Sequence, residues 1–303
     1  NLLMRRTLNR MIIIDMNQVM ISNLMAQIKR DVLNENLVRH MVLTSLCFYE
    51  KQYTPEYGEV VLAYDSRHYW RKDFFPFYKQ NRKKDRQKSG HDWGSIFEVL
   101  NKIRDEIKEY FPYKVIEVHG AEADDVIATL CRNKKTKDKV LILSGDKDFI
   151  QLQKYPGIKQ YNPITKRAVS HENPHQYIKE HVMRGDKSDG IPNFLSSDDC
   201  IVRGVRQKPI SQKKLAKWIE QKPDQFCEDV QQLCNYHRNQ RLIDFDYVPE
   251  EIEDQILHEY NTINISGKKI PLEYFKEHQL NDLMQEFFFR SSSTFKQNEN
   301  VNQ

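Results

Sequence analysis

The chain has 303 residues, of which 39% are hydrophobic and 30% charged, so a soluble globular protein with a real core is expected, as one large domain or a main domain with a smaller appendage. No apolar run approaches the roughly 20 residues of a membrane-spanning helix, and no long apolar segment follows Arg5, Arg6 and Arg10, so neither a membrane span nor a signal peptide is expected. The net charge of +4 is too mild to identify a nucleic-acid partner by itself, so the distribution of charge matters more than its sum.

Met11–Asp15 reads as a buried strand, because continuous β-branched residues suit a sheet covered on both faces. Leu33, Leu37, Val38, Met41 and Val42 then recur at helical spacing, in a helix expected to run on through Leu46. Val60–Asp65 is the second strand. From Arg67 to Lys88 nine Lys and Arg stand against Asp73 and Asp85, interleaved with Tyr69, Trp70, Phe74, Phe75, Phe77 and Tyr78. A phosphate backbone is the natural counterpart of such a stretch. Ile96, Leu100, Ile103 and Ile107 mark another amphipathic helix, Lys114–Val118 a third strand, Ala121–Cys131 a helix with an acidic first turn, and Val140–Ser144 a fourth strand.

This alternation predicts an α/β domain over residues 1–161, with a mainly parallel central sheet flanked by helices. Beyond it the pattern turns helical at Gln176–Arg184 and Ser211–Gln221 and stays ambiguous to about residue 290, giving a smaller helical domain over 162–290. The polar tail Ser291–Gln303 is expected to be disordered. No repeat of fixed period is present. Cys47, Cys131, Cys200, Cys227 and Cys234 are scattered without a C-x-x-C pair, which argues for reduced thiols in a cytoplasmic setting and against a disulfide framework or zinc site.

Asp15 and Asp65 end predicted strands and Asp146 follows one, so they converge at the edge where open parallel sheets collect ligands. Glu122, Asp124 and Asp125 open the helix at the same edge, Asp148 follows Asp146, and Asp186 and Asp189 lie in Gly185-Asp-Lys-Ser-Asp-Gly190. Each acid alone has a plainer explanation, as a turn former or a helix-start residue favoured by the macrodipole. Together, nine carboxylates at one edge repel strongly and call for hard divalent cations with oxygen ligands, Mg²⁺ above all. Two such ions can activate a water and stabilise a leaving oxygen in phosphodiester hydrolysis.

Ile14-Asp15, Ala63-Tyr-Asp65, Ala121-Glu-Ala-Asp-Asp125, Ser144-Gly-Asp-Lys-Asp-Phe149 and Gly185-Asp-Lys-Ser-Asp-Gly-Ile-Pro192 resemble, in order, the acidic motifs of the 5′ nuclease family. That family holds flap endonucleases and the 5′–3′ exonuclease domains of bacterial DNA polymerases. The resemblance runs from about Met11 to Leu215; Tyr69-Trp-Arg-Lys-Asp-Phe74 and Leu242-Ile-Asp-Phe-Asp-Tyr247 bring it nearest to the ribonuclease H branch of T-even bacteriophages.

The resemblance implies a PIN-like fold with an arch or bridge over residues 67–92 and a helix–hairpin–helix-like duplex-binding element. It implies a two-metal enzyme, with Mg²⁺ replaceable by Mn²⁺, that removes RNA primers and 5′ flaps in lagging-strand replication. Carried over by motif, Asp15, Asp65, Glu122, Asp124, Asp146 and Asp148 form the inner or near metal shell, Asp186 and Asp189 complete the second site, and Asp125 is an outer partner.

Phe77-Tyr-Lys-Gln-Asn-Arg82 resembles the family's arch base, which puts Lys79 and Arg82 on the scissile phosphate and Tyr78 against a terminal base. A solvated basic helix with core aromatics is the plainer alternative. Nucleic acid is expected on Arg71, Lys72, Lys83, Lys84 and Arg86, and at Ser211, Lys213 and Lys214.

Two departures from the family pattern stand out. Gly190 occupies a position where many relatives have Asn, and the divergent Ser196–Gln207 replaces a Gly-Ile-Gly hairpin. His171-Glu-Asn-Pro-His175 matches H-E-x-x-H only formally, since Pro174 disrupts a helix already begun at His171; a zinc protease is excluded. A non-catalytic nucleic-acid binder on the same fold would have lost acids, and none of the expected set is missing. A related ribonuclease lacking the arch is disfavoured by the arch-base motif. Asn281–Phe288 loosely resembles a sliding-clamp-binding peptide through Met284, Phe287 and Phe288, but docking of this helix on its own protein, with Leu283 and Phe289, is the favoured reading. The expected partners are RNA–DNA hybrid and branched or flapped DNA, with a replication clamp and single-stranded DNA-binding protein possible; a monomer is expected.

Overall fold

The computed structural model describes residues 10–28, 33–135 and 137–287. A six-stranded sheet is built from β1 (Arg10–Asp15), β2 (Glu59–Ala63), β3 (Lys114–Ile116), β4 (Lys139–Leu143), β5 (Ile158–Asn162) and β6 (Arg167–Val169), in the order β3-β2-β1-β4-β5-β6. The first five strands run parallel and β6 is antiparallel to β5.

The central β1 shows why an uninterrupted apolar run is needed. Side chains alternate between faces, so Ile12 and Ile14 enter one core cluster and Met11 and Ile13 the other. The first face is covered by α1 (Met16–Ile28), α2 (Glu35–Tyr57) and α5 (Trp93–Tyr110), the second by α6 (Ala123–Arg132) and later helices. Ile14 pairs with both Leu62 and Leu143, so β1, β2 and β4 end level with one another. That common edge receives the acidic motifs.

Between β2 and α5 the basic segment forms two short helices, α3 (Trp70–Phe74) and α4 (Gln80–Lys88). After the sheet come α7 (Pro174–Arg184), α8 (Gln212–Ile219), α9 (Pro223–Phe226), α10 (Val230–Ile243), α11 (Glu250–Thr262) and α12 (Leu272–Glu277). Helices α7, α8 and α10 share a third cluster around Phe194, Leu215, Trp218 and Tyr236, which also takes in Phe75 and Tyr78 from the basic segment.

One boundary differs from expectation. The line drawn at residue 161 falls inside β5, and β6 carries the sheet on to Val169. The helical part also lends residues to the sheet: Phe245, Val248 and Ile256 lie in one sheet-face cluster, and Tyr274, Phe275, Leu280, Leu283 and Phe287 in the other. Phe287 meets Phe111 with ring centroids 5.2 Å apart, so the favoured docking of residues 281–287 is what the fold shows at that ring. Phe288, Phe289 and the tail 291–303 lie outside the described residues.

Pro174 is the first residue of α7, with Asn173 accepting the Gln176 N–H as its cap, so His171 stands off the helix and H-E-x-x-H has no common face. All five cysteines are free thiols. Among the described residues no helix is long and apolar enough to cross a membrane.

Candidate active site

Asp15 closes β1, and its two carboxylate oxygens accept hydrogen bonds from the Gln18 amide (3.2 Å) and Ser144 Oγ (2.9 Å). Asp65, two residues past β2, accepts the Ala123 N–H at 2.7 Å and so ties its loop to the start of α6, whose first turn carries Asp124. Beyond β4, Asp146 Oδ1 accepts the Asp148 N–H at 2.9 Å and starts the 3-10 turn Lys147–Lys154. Burial pushes the Asp15 and Asp65 carboxyls up to about 6, with Glu122 adding to the effect at Asp65. It pushes Asp148 up to about 7, and raises Asp124 and Asp146 as well, Asp124 with help from the Asp146 charge. A neighbouring cation opposes each of these shifts, because it favours the ionised form.

The loop after α7 brings the next acid. Gly185 closes that helix with φ of +67°, and a Cβ there would sit 2.4 Å from the Ile191 and Pro192 carbonyl oxygens, so only glycine fits. Asp186 Oδ1 accepts hydrogen bonds from Ser188 N (2.7 Å) and Ser188 Oγ (2.6 Å). His181 stands between two acids, Nδ1 at 3.3 Å from Asp148 and Nε2 at 3.5 Å from Asp186. Burial opposes ionisation of Asp186, but His181 and Ser188 outweigh it and hold the carboxyl well below the usual range. His181 was not singled out from sequence. Its place in the last turn of the helix preceding Asp186 was the only available signal.

A second group of acids is already bonded to cations. Arg71 is 2% exposed and pairs with Glu122 and Asp125, both at 2.8 Å, while its Nε donates to the Leu242 carbonyl. Lys79 Nζ lies 2.5 Å from Glu122 and 3.6 Å from Asp189, and Arg82 pairs with Asp189. The buried Tyr78 hydroxyl donates toward Glu122 and Asp189 at 3.0 and 3.1 Å. Burial disfavours ionised Glu122, yet Lys79 and Arg71 outweigh it and keep the carboxyl below its ordinary value.

Two placements therefore differ from expectation. Arg71 is a buried counterion and offers nothing to a phosphate backbone. Tyr78 is 3% exposed, and its ring packs in the helical core with no face open to a base. Asp125, fully buried and also accepting from Trp70 Nε1, is bonded to Arg71, the same cation that holds Glu122.

Gly190 explains its own departure from the family pattern. With φ of +75°, any Cβ would come 2.9 Å from the Phe77 carbonyl oxygen. The close approach lets Lys79 N donate to the Asp189 carbonyl at 2.7 Å, which fastens the 185–192 loop to the base of α4.

Lys83, Lys84 and Arg86 lie on α4, which has no buried residue, and Lys72 is likewise exposed. A cavity of about 650 Å³ opens beside Asp65 and is lined by Tyr69, Arg82, Arg86, Trp93 and Arg104 among others. Ser211 caps α8 by accepting the Lys214 N–H, and Lys213 and Lys214 are exposed. The two ends of the Ser196–Gln207 stretch are tied together by Asn193, whose N donates to Gln207 Oε1 at 2.7 Å and whose side chain donates to the Lys208 carbonyl.

A family model described as the 5′-3′ exonuclease, N-terminal resolvase-like domain, matches residues 10–183. Ribonuclease H of Enterobacteria phage T4 is 34% identical over 284 residues, covering 89% of this chain and 92% of that one. The chain belongs to the 5′-3′ exonuclease family. A second model, T4 RNase H, C terminal, takes residues 173–288, so the helical half also follows that branch of the family. DNA polymerase I of Bacillus caldotenax is a more distant relative, 28% identical over 61% of this chain and 21% of its own. The family fold is matched by the D15 flap endonuclease of bacteriophage T5, solved with DNA and metal ions, with a TM-score of 0.59 at 16% identity over 83% of this chain and 99% of that one. Enzymes of this family are nucleases. The hard oxygen donors of Asp15, Asp65, Asp124, Asp146, Asp148 and Asp186 fit divalent cations of the Mg²⁺ type.

Proposed function

We propose that the chain is a Mg²⁺-dependent 5′-to-3′ exonuclease and flap endonuclease with ribonuclease H activity, hydrolysing RNA primers in RNA–DNA hybrids and 5′ DNA flaps during lagging-strand replication. The observation that carries it is the convergence of acids from β1, β2, α6, the turn after β4 and the 185–192 loop beside two cations of the arch base. Asp15, Asp65, Glu122, Asp124 and Asp146 would face one ion, and Asp148, Asp186 and Asp189 the other. The ions, Mg²⁺ or Mn²⁺, supply an activated water and a stabilised leaving oxygen when bound.

The side chains do the rest. Lys79 holds its ammonium among the acids, where phosphate charge develops, and Arg82 stands half-exposed at their rim. Asp125 and Arg71 fix Glu122 from behind. Lys72, Lys83, Lys84 and Arg86 take the backbone outside the site, and Ser211, Lys213 and Lys214 take the duplex beyond the helical loop. A replication setting would also bring a sliding clamp and a single-stranded DNA-binding protein to the enzyme. Burial of Phe287 removes one anchor of a clamp peptide at residues 281–288.

Cleavage of 5′-labelled RNA–DNA hybrid and flap substrates tests this reading. Asp124→Asn or Asp146→Asn should each lower turnover by about 100-fold or more, with substrate affinity nearly kept because the basic surface is untouched. Cleavage that persists in EDTA, or near-normal turnover in both variants, removes these acids from a metal shell. Binding without any cleavage in the unaltered protein would favour the alternative, a non-catalytic binder on the same fold.

A further inference from the structure

We propose that His181 is a nitrogen ligand of the second cation site, which is then a mixed nitrogen and oxygen site shared with Asp148 and Asp186. The proposal rests on the two-ion reading above and adds a donor that the acidic motifs do not contain. Among the described residues, Asp148, His181 and Asp186 are the group whose ligand atoms all fall within 4.8 Å of one another.

The spacing argues for ligation over a simple ion pair. A charge-assisted bond between imidazolium and carboxylate closes to about 2.7–2.9 Å. The observed 3.3 and 3.5 Å are longer. The two distances run to different ring nitrogens, and one ion takes only one of them; with one nitrogen and one oxygen of each acid, the three ligand atoms lie within 4.8 Å of one another, near enough for a shared ion to draw them together.

The ring is also delivered rigidly. It sits in the last turn of α7, with the Tyr177 ring edge-on at 6.0 Å. Ile178, Val182 and Met183 of the same helix are anchored in the helical core. The remaining cations near the site are committed elsewhere, Arg71 to Asp125 and Glu122, Lys79 to Glu122, and Arg82 to Asp189. His181 therefore serves Asp148 and Asp186 specifically. Imidazole nitrogen suits Mn²⁺, Co²⁺ and Zn²⁺ better than Mg²⁺, which prefers oxygen. The second site should accordingly discriminate among divalent ions more sharply than the all-carboxylate first site.

Electron spin-echo spectroscopy of the full chain with two equivalents of Mn²⁺ reads the ligand directly. The unaltered protein should show nitrogen modulation that changes from the ¹⁴N to the ¹⁵N pattern when the chain is labelled with ¹⁵N-histidine. His181→Gln should lose the histidine signal, and its Mn²⁺ affinity at the weaker site should fall about tenfold or more, while Mg²⁺ affinity changes less than about threefold. Mn²⁺ spectra with no histidine nitrogen, or a histidine signal that survives in His181→Gln, overturn the proposal. The labelled protein needs no variant, so misfolding of His181→Gln cannot hide the answer. A protein that cuts hybrid without this coupling loses only the His181 ligand; one with the coupling that cuts nothing loses the nuclease reading instead.

Discussion

Between Arg67 and Lys88 the same residue types serve opposite ends in the two halves of one segment. In the first half, Arg71 and Lys79 turn inward, with Phe75 and Tyr78 in a core. In the second, Gln80–Lys88 forms a helix with no buried residue; Arg82 near its start still pairs with Asp189, but Lys83, Lys84, Arg86 and Lys88 are exposed. The difference lies in what each half faces. The first meets Glu122, Asp125 and Asp189, acids that cannot stay ionised in the interior without counterions. The second meets water, with Asp85 as its one acid. A run of positive charge is thus a binding surface only where the fold leaves it unpaired.

The largest effect expected from this contrast is on stability. Arg71→Met keeps the volume but strands Asp125 and Glu122, and should cost about 3–5 kcal/mol, as for other buried pairs broken on one side. Lys83→Ala should stay within about 0.5 kcal/mol. Thermal or urea unfolding of the two variants measures the gap, and combining Arg71→Met with Asp125→Asn should recover part of the loss. Equal stabilities for the two single variants would mean that Arg71 is no more structural than Lys83.

A smaller effect comes from the open acids, which lack the counterions of Glu122. Asp15 and Asp65 titrate near 6 and Asp148 near 7 in the fold, above the roughly 4 of an unfolded aspartate. The folded chain therefore binds these protons more tightly, and stability falls as pH rises from about 4 to about 7. His181, raised by Asp186 against the effect of burial, acts in the same direction, because its contribution is lost as pH climbs through its folded value. Glu122 and Asp186 are depressed; their contribution is present above about 4 and lost as pH falls through their folded values. Without divalent ions the protein should melt several degrees lower at pH 8 than at pH 5.5. The loss should be on the order of a few kcal/mol, because a tenfold difference in proton affinity between folded and unfolded chain is worth about 1.4 kcal/mol. Mg²⁺ should close most of that gap. A melting temperature that rises from pH 5.5 to 8 in EDTA contradicts the sign.

The sequence made the first four strands visible because their runs are β-branched and apolar. It hid β5, whose inward residue Gln160 is polar and spends its amide on the Ser144 and Asp146 carbonyls. It also hid α1, where Met16, Val19, Met20, Ile21, Leu24 and Met25 give no clean polar face. Most of the acids were legible for a topological reason, since all but Asp186 and Asp189, which follow α7, come after a strand end or open a helix at one edge. The inward turn of Arg71 and Tyr78 was not, because their partners lie far along the chain and meet them only once α3 and α6 are folded together. His181 stayed hidden for a related reason: Asp186 follows it closely, but Asp148 reaches it from a separate segment.

The smallest effect on the fold, and the sharpest on binding, should come from the outward half. Replacing Lys83, Lys84 and Arg86 together by Ala removes three exposed charges from a helix that buries nothing. The melting temperature should hardly move, as for other exposed substitutions. A phosphate that no side chain neutralises keeps its counterions, so the slope of log affinity against log salt should become shallower by up to about 0.9 per charge on duplex DNA. Lys84 donates to the Val202 carbonyl at 3.1 Å, and Arg86 lies over the Phe97 ring at 5.1 Å, so part of each charge is already engaged and the change should fall short of that ceiling. Turnover at saturating substrate should stay near normal, because none of the three reaches Glu122 or Asp189 as Lys79 does. Binding titrations across a salt series, run beside melting curves, separate the two halves. An unchanged salt slope would show that α4 is solvated without touching nucleic acid, and a large fall in melting temperature would show that the outward half is as structural as the inward one.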